Sequence, residues 1–320
     1  MCYISSRGGW HKLHNKKYKL LKDALGACYH SGDELLFYCP FCDHHKKKLS
    51  VNIEKNAYKC WVCDSSGRNI LRLIRKAGSY QQVREWKSLT GQMDLSKFDL
   101  FFDGKPEEKQ TVSLPEEFVT LTGKASSLTS QKAISYLANR GIGKKDILKW
   151  KIGHCVRGEY AGRIIIPSFN YNGELNYFVA RTYTGDWRKY TNPKVSRNII
   201  FNDLYVDWDS DIVLVEGVFD AIRAGNAIPL LGSTLREESC LFQKIILESP
   251  SIYVALDADA EKKAMSIVNK LNRYGVEVHK VNTGGYEDVA VMPREIFKEK
   301  KNSSEIMDSD NYLLKKIIEA

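Results

Sequence analysis

The chain has 320 residues, 43% of them hydrophobic, which is length and apolar content for two or three domains with buried cores. Its 48 Lys and Arg against 39 Asp and Glu leave a formal charge of +9, a balance that suits a polyanionic partner through counterion release, or simply a basic soluble protein. The start lacks an apolar stretch of signal-peptide length and the longest apolar runs, at 163–166 and 212–215, are strand-sized, so no membrane association and a cytoplasmic location are expected.

Eight cysteines in such a compartment read as thiols or metal ligands before disulfides. The first region, 1–102, holds Cys39-Pro40-Phe41-Cys42 and Cys60-Trp61-Val62-Cys63, with seventeen residues, 43–59, between the pairs. Each turn can aim two sulfurs at one ion, and a hairpin brings the turns together, so the spacing predicts a zinc ribbon with Cys39, Cys42, Cys60 and Cys63 as structural ligands. A redox dithiol or four buried thiols are the competing readings. His44 and His45 lie beside the first pair as possible substitutes, while Cys2, Cys28, Cys155 and Cys240 lack ligand spacing. From 44 to 76 nine Lys or Arg face two acids, Glu54 and Asp64. Tyr58 and Trp61 are interleaved with that charge, either as stacking platforms for unpaired bases or as packing around the metal.

Residues 103–115 read as a linker: polar, aperiodic and ending in Leu114-Pro115. From 116 to 210 the pattern predicts a helix over 130–138 closed by Gly141, a short helix near 147–150, and strands over 163–167, 175–181 and 198–201, with Asn172-Gly173 turning between the first two of these. From 211 to 297 uninterrupted apolar strands (211–215, 228–231, 252–256, 276–281) alternate with helices (219–224, 241–247, 262–273), which implies a largely parallel sheet covered on both faces. A charged tail is expected over 298–320.

Carboxylates gather where those strands end. Glu216-Gly217-Val218-Phe219-Asp220 follows the first, Asp257-Ala258-Asp259 the third and Glu287-Asp288 the fourth. Ligands of open parallel sheets bind at the carboxyl ends of strands, and clustered carboxylates repel unless a cation joins them, so the pattern predicts bound Mg²⁺ or Mn²⁺. Two such ions would activate a primer 3′-hydroxyl and neutralise a nucleoside triphosphate. A single acid here would be read as a helix cap; three groups in register favour metal.

These motifs resemble the Toprim fold shared by DnaG-type primases, topoisomerases and some nucleases. Upstream, Tyr136-Leu137-Ala138-Asn139-Arg140-Gly141-Ile142, Lys151-Ile152-Gly153, the Arg163 strand, Arg181 and Lys189-Tyr190-Thr191-Asn192 resemble the polymerase core of bacterial and phage DNA primases. The ribbon, with Ser65-Ser66-Gly67-Arg68-Asn69 after its last cysteines, is similar to the primase zinc-binding domain.

The resemblance implies a zinc ribbon followed by an RNA polymerase domain containing a Toprim-like, mainly parallel sheet, and an enzyme making RNA primers on single-stranded DNA from ribonucleoside triphosphates. It implies Asp257 and Asp259 as main magnesium ligands, Glu216 as a metal-assisting or acid/base carboxylate, Asp288 in support and Asp220 in a lesser role. Arg163, Arg181, Lys189 and Asn192 would hold template–primer backbone or nucleotide phosphates. Four cysteine ligands, where many relatives have three and a histidine, are similar to phage primases; Ala258 replaces a usual glycine, and the third acidic motif is abbreviated. No P-loop is present and no helicase-sized region follows, so a replicative helicase is expected as a separate partner. The alternatives are a Toprim nuclease, or a non-catalytic single-stranded DNA-binding module in which Asp257→Asn would change nothing.

Overall fold

The computed structural model describes residues 7–67, 69–90, 112–123, 127–232, 234–274 and 276–307. The chain divides into two compact units, Met1–Asp103 and Gly104–Ala320. Cys2 and the apolar pattern at 312–318 lie outside the described residues.

In the first unit, strands β1 (Tyr29–Ser31), β2 (Glu34–Phe37), β3 (Leu49–Asn52), β4 (Ala57–Cys60) and β5 (Ser66–Gly67) form an antiparallel sheet in chain order. Helices Arg7–Leu25, Leu71–Ala77 and Tyr80–Leu89 accompany it. Its core joins Leu21, Phe37, Leu49, Val51, Ile70, Leu73, Ile74 and Trp86, so a unit this small gains from a metal staple beside its modest core. The last helix starts at a capping box: Gln82 N–H donates to Ser79 Oγ, and Ser79 N–H donates back to Gln82 Oε1.

The second unit holds two sheets. β6 (Phe118–Thr120), β7 (Gly153–Cys155), β8 (Arg163–Phe169) and β9 (Leu175–Thr182) are antiparallel in chain order. In the second sheet β10 (Ile212–Val215), β11 (Ala227–Pro229), β12 (Ile252–Val254) and β13 (Val278–Lys280) are parallel and β14 (Glu305–Ile306) is antiparallel to β13, in the order β11-β10-β12-β13-β14. All four residues of β10 are at most 1% exposed, as a strand covered on both faces requires. The expected mixed α/β class with a mainly parallel sheet is what the structure has.

Three expectations change. The apolar run at 198–201 is buried at Ile200 and Phe201 but is not a strand. Side chains satisfy the backbone around it in place of a ladder: Asn176 Nδ2 donates to Ile200 O, Asn202 N–H donates to Ser168 Oγ, and Phe169 N–H donates to Asn202 Oδ1. Helix Arg294–Asn302 runs through position 298, where the tail was expected, and β14 (Glu305–Ile306) then pairs antiparallel with β13. Charge alone hid that helix, whose polar residues surround a single buried anchor, Phe297. Of the expected linker, 103–111 lies outside the described residues, and Val112 and Leu114 pack against Cys155, Ile165 and Phe178.

Candidate active site and metal centre

In the first unit both CxxC turns are shaped by the backbone. Asp43 N–H donates to Cys39 O, Cys60 N–H donates to Ser65 O, and Val62 N–H donates to Cys60 Sγ. Asp43 and Asp64 take left-handed φ of 47° and 56°, a conformation that Asp tolerates better than most residues. The four Sγ atoms lie within 4.8 Å of one another, with Cys39–Cys63 at 3.8 Å and Cys42–Cys60 at 3.9 Å. A tetrahedron with zinc–sulfur bonds of about 2.3 Å has edges of about 3.8 Å, so the donor set fits zinc in a closed, structural site.

A redox dithiol fits poorly, because burial pushes the Cys39 thiol up to about 12, far from a reactive thiolate, although Ser65 draws Cys63 down to about 6. A cation bound by the cluster would let Cys39 join Cys63 as a thiolate. His44 turns its Nδ1 to Lys46 N–H, and neither histidine joins the cluster. Tyr58 is core at 4% exposure, whereas Trp61 is 65% exposed with Lys59 Nζ 4.7 Å from its ring centroid.

In the second unit the chain passes from β10 to β11 on one side, then crosses to β12 on the other. That reversal is a topological switch point, the place where open sheets bind ligands. Glu216 immediately follows β10 there. Leu214 pairs with Val254, and Ala255 N–H donates to Leu214 O, so Asp257 emerges beside Glu216 from the neighbouring strand. Lys263 Nζ stands 3.8 Å from Glu216 Oε2. Glu216 Oε1 and Asp257 Oδ1 are both closed to solvent and without a hydrogen-bond partner.

The other acids differ in kind. Asp220 is 6% exposed and both its oxygens accept from backbone: Oδ2 from Gly217 N–H and Oδ1 from Ala290 N–H, each at 2.9 Å. It closes the turn after Glu216 and ties it to the loop that carries Asp288, whose own Oδ1 accepts from Val291 N–H at 2.9 Å. A Cβ on Gly217 would lie 3.0 Å from Asp220 Oδ2, so glycine serves a close approach there. Asp259 is exposed.

Burial pushes Asp257 up to about 7, with Asp220, Glu216, Asp288 and Asp259 adding repulsion. Burial, and next Asp288, push Asp220 up to about 6 against the pull of its two backbone donors. The three acidic motifs therefore share one field. Among the described residues they do not form a tight cage of ligand atoms as the cysteines do. Two inward carboxylate oxygens lacking partners, amid mutual repulsion, fit a hard divalent cation that keeps water or phosphate as its remaining ligands.

The predicted basic residues separate into three groups. Arg181 packs on the helix that follows Glu216: its Nε donates to Tyr136 Oη at 2.7 Å, its Nη1 bonds Tyr190 Oη, and its guanidinium lies 5.3 Å from the ring of Phe219, three residues after Glu216. Arg163 does not present its charge; it is 4% exposed and paired with Asp186 at 2.7 Å. Lys189 is exposed, and Asn192 Oδ1 accepts from Ala180 N–H, stapling the strand edge.

Sequence reasoning did not single out Arg140, Tyr136 and Tyr190. Arg140 donates to Tyr136 Oη at 3.0 Å and lies 5.2 Å from the Phe219 ring, so two arginines meet one aromatic ring. Their signal lay in the motifs quoted for the resemblance, which gave these three residues no role of their own. Arg223 locks this assembly, donating to Ala290 O and to Arg140 O, and Gly141 at φ +67° leaves room for it, since a Cβ would lie 2.2 Å from Arg223 Nη2.

No family model matches the chain. It is similar to the DNA primase of Clostridium acetobutylicum, 22% identical over 281 residues that cover 72% of this chain and 46% of the relative. It is also similar to the DNA primase of Thermotoga maritima, 23% identical over 317 residues that cover 83% of this chain and 54% of the relative. The chain thus spans about half the length of the curated relatives it matches. Its fold is similar to the DnaG primase catalytic domain solved with single-stranded DNA, with a TM-score of 0.52 and 14% identity, over 60% of this chain and 77% of that one. The likeness to DnaG-type primases read from the motifs is borne out.

Proposed function

We propose that the chain is a template-directed primase: it binds single-stranded DNA and joins ribonucleoside triphosphates into short RNA primers, with Mg²⁺ or Mn²⁺ at the sheet edge. The observation that carries this reading is the pair of buried, unpartnered oxygens, Glu216 Oε1 and Asp257 Oδ1, at adjacent strand ends of the switch point. The similarity to named primases supports the choice among Toprim chemistries.

In this reading Glu216 and Asp257 hold the cation, with Asp259 reaching it from the exposed side and Asp288 adding negative charge. The cation, when bound, lowers the barrier by neutralising triphosphate oxygens and acidifying a 3′-hydroxyl. Asp220 holds the Glu216 turn rigid through two backbone bonds, which keeps the carboxylates in place against their mutual repulsion. Arg181 and Arg140, oriented by Tyr136, offer guanidinium groups for phosphate; a planar fork suits that task better than an ammonium. Lys189 adds exposed charge beside them. Arg163 and Asn192 shape the scaffold instead of touching substrate.

The ribbon is a template-contacting module in the same reading, supported by Trp61 beside Lys59, and by Lys47 Nζ 4.1 Å from the ring centroid of exposed Tyr29 and 5.3 Å from that of Tyr38. A cytoplasmic replication setting with a separate helicase completes the proposal. No described helix is long and apolar enough to cross a membrane.

The test is incubation of the purified protein with single-stranded DNA, Mg²⁺ and labelled ribonucleotides, alongside Asp257→Asn. Short oligoribonucleotides from the parent and none from the variant are expected. Equal output from both rejects the site. DNA cleavage without ribonucleotide incorporation turns the reading to the nuclease.

A further inference from the structure

We propose that Trp187 is a stacking platform for an unpaired base of the DNA strand, and that the buried Arg163 is the residue that positions it; this rests on the single-stranded DNA substrate proposed above. Trp187 is 84% exposed, the most exposed of the large hydrophobic side chains among the described residues. An isolated exposed aromatic needs no explanation, but the turn that carries this one is unusually constrained.

Arg163 sits in strand β8 at 4% exposure and extends both arms of its guanidinium to the two residues flanking the tryptophan. Nη2 donates to Asp186 Oδ2 at 2.7 Å and Nη1 to Arg188 O at 2.9 Å. Arg188 N–H closes the ring by donating to Asp186 Oδ1 at 3.0 Å. Burying a guanidinium is costly unless its donors are met, and here they are met by a surface turn, so the fold invests a buried charge pair in fixing the orientation of residues 186–188. The result is a backbone turn fixed on both sides of a large aromatic ring held out in solvent, so less ordering of the chain remains to be made on binding.

The surroundings favour an anion-bearing, planar ligand. Over 183–197 the chain has Arg188, Lys189, Lys194 and Arg197 against one acid, Asp186, which Arg163 neutralises. Arg188 lies 5.1 Å from the Trp187 ring centroid. The turn springs from the base pair Arg181–Tyr190, joined by a single antiparallel bridge, and Arg181 is the residue that meets Phe219 beside the acidic site. A strand whose phosphates follow the basic residues would therefore bring a base over Trp187 on its way to the carboxylates. Base–aromatic stacking is tolerant of sequence, which suits a template channel.

The experiment measures binding of a fluorescent single-stranded oligodeoxynucleotide by anisotropy across a salt series, using the full chain. Trp187→Ala is expected to weaken binding about tenfold with an unchanged salt slope, since no phosphate contact is lost, and Trp187→Phe to recover most of that loss. Lys189→Ala should instead lower the slope by about one. Arg163→Lys, checked for folding by its melting temperature, should show part of the Trp187→Ala loss and none in the double variant beyond it. Affinity unchanged in Trp187→Ala, or a loss expressed as salt slope, overturns the proposal. Asp257→Asn separates this from the polymerase reading: it should keep the Trp187 dependence of binding while losing synthesis. Should the parent bind DNA through Trp187 yet make no RNA, the platform stands and the primase reading falls.

Discussion

The cysteine cluster and the acidic sheet edge follow opposite designs. In the ribbon, four sulfurs lie within 4.8 Å of one another, two of them on fully or nearly fully buried cysteines, and nothing further is needed to complete a tetrahedron. At the sheet edge, only Glu216 and Asp257 turn unpartnered oxygens inward, Asp220 is consumed by backbone donors and Asp259 faces solvent. A closed sphere stabilises a fold; an open one leaves positions for water and phosphate. The same contrast separates what each site should lose when a ligand is removed.

The largest effect is expected at the closed site. Structural zinc contributes about 10–16 kcal/mol of apparent binding energy in small domains, more than a unit of this size can replace from its core. Cys60→Ser should therefore abolish zinc binding and unfold the first unit, read as zinc stoichiometry and as loss of one transition in thermal unfolding. Full zinc content with an intact transition would break the comparison. At the open site, Asp257→Asn should abolish synthesis yet leave the second unit as stable as the parent, or more so, at pH 8, because it removes a charge that its neighbours repel. A large drop in melting temperature would make Asp257 a structural cap instead.

An intermediate effect should appear as pH linkage. Asp257 and Asp220 have folded-state values raised from 3.8 to about 7 and about 6, so in metal-free protein each contributes stability that is fully present below pH 4 and is lost as pH rises to about 7. Without added magnesium, the melting temperature of the second unit should thus fall between pH 4 and pH 7 on their account. Magnesium should reverse that fall above pH 7, since the cation binds the ionised pair. His154 works against the trend at the acid end: it is fully buried, hydrogen-bonded to Ser130 Oγ and Tyr183 Oη at 3.1 Å each, and burial lowers its value, so its contribution is lost as pH drops below about 6.5. Comparing pH profiles with and without magnesium in Asp257→Asn isolates the carboxylate part, and a profile unaffected by that substitution would exclude Asp257 as its source.

The ribbon was legible because ligand spacing is local: two CxxC pairs and the gap between them specify the hairpin that unites them. The strand-end acids were legible for a related reason, since an uninterrupted apolar run stops where the carboxylate starts. Contacts distant in sequence were not. Asp220 meets Ala290 across seventy residues, and Arg223 reaches Arg140 across eighty-three, so no periodicity announces either. Arg163 belongs with them: the resemblance implied a phosphate-holding role for it, and only the fold shows Asp186 2.7 Å from its guanidinium. The strand expected at 198–201 failed because hydrophobicity reports burial and not backbone pairing; Asn176, Ser168 and Asn202 supply hydrogen bonds that a ladder would have supplied.

The smallest effect sharpens how open the open site is. Lys263 lies 3.8 Å from Glu216 Oε2, both side chains only partly exposed at 21% and 26%. As a partner of Glu216 it would compete with a cation for the same carboxylate. An ion pair at that separation contributes about 0.2–1 kcal/mol, so Lys263→Met should tighten magnesium binding by no more than about fivefold. If Lys263 instead meets the triphosphate, the substitution leaves the metal requirement unchanged and raises the KM for ribonucleotides, because uniform binding of substrate and transition state is what it removes. Titrating synthesis against magnesium at saturating nucleotide, then against nucleotide at saturating magnesium, separates a competitor of the cation from a ligand of the substrate. A shift in neither titration would make Lys263 a spectator, and Glu216 would then hold its position through the turn that Asp220 fastens.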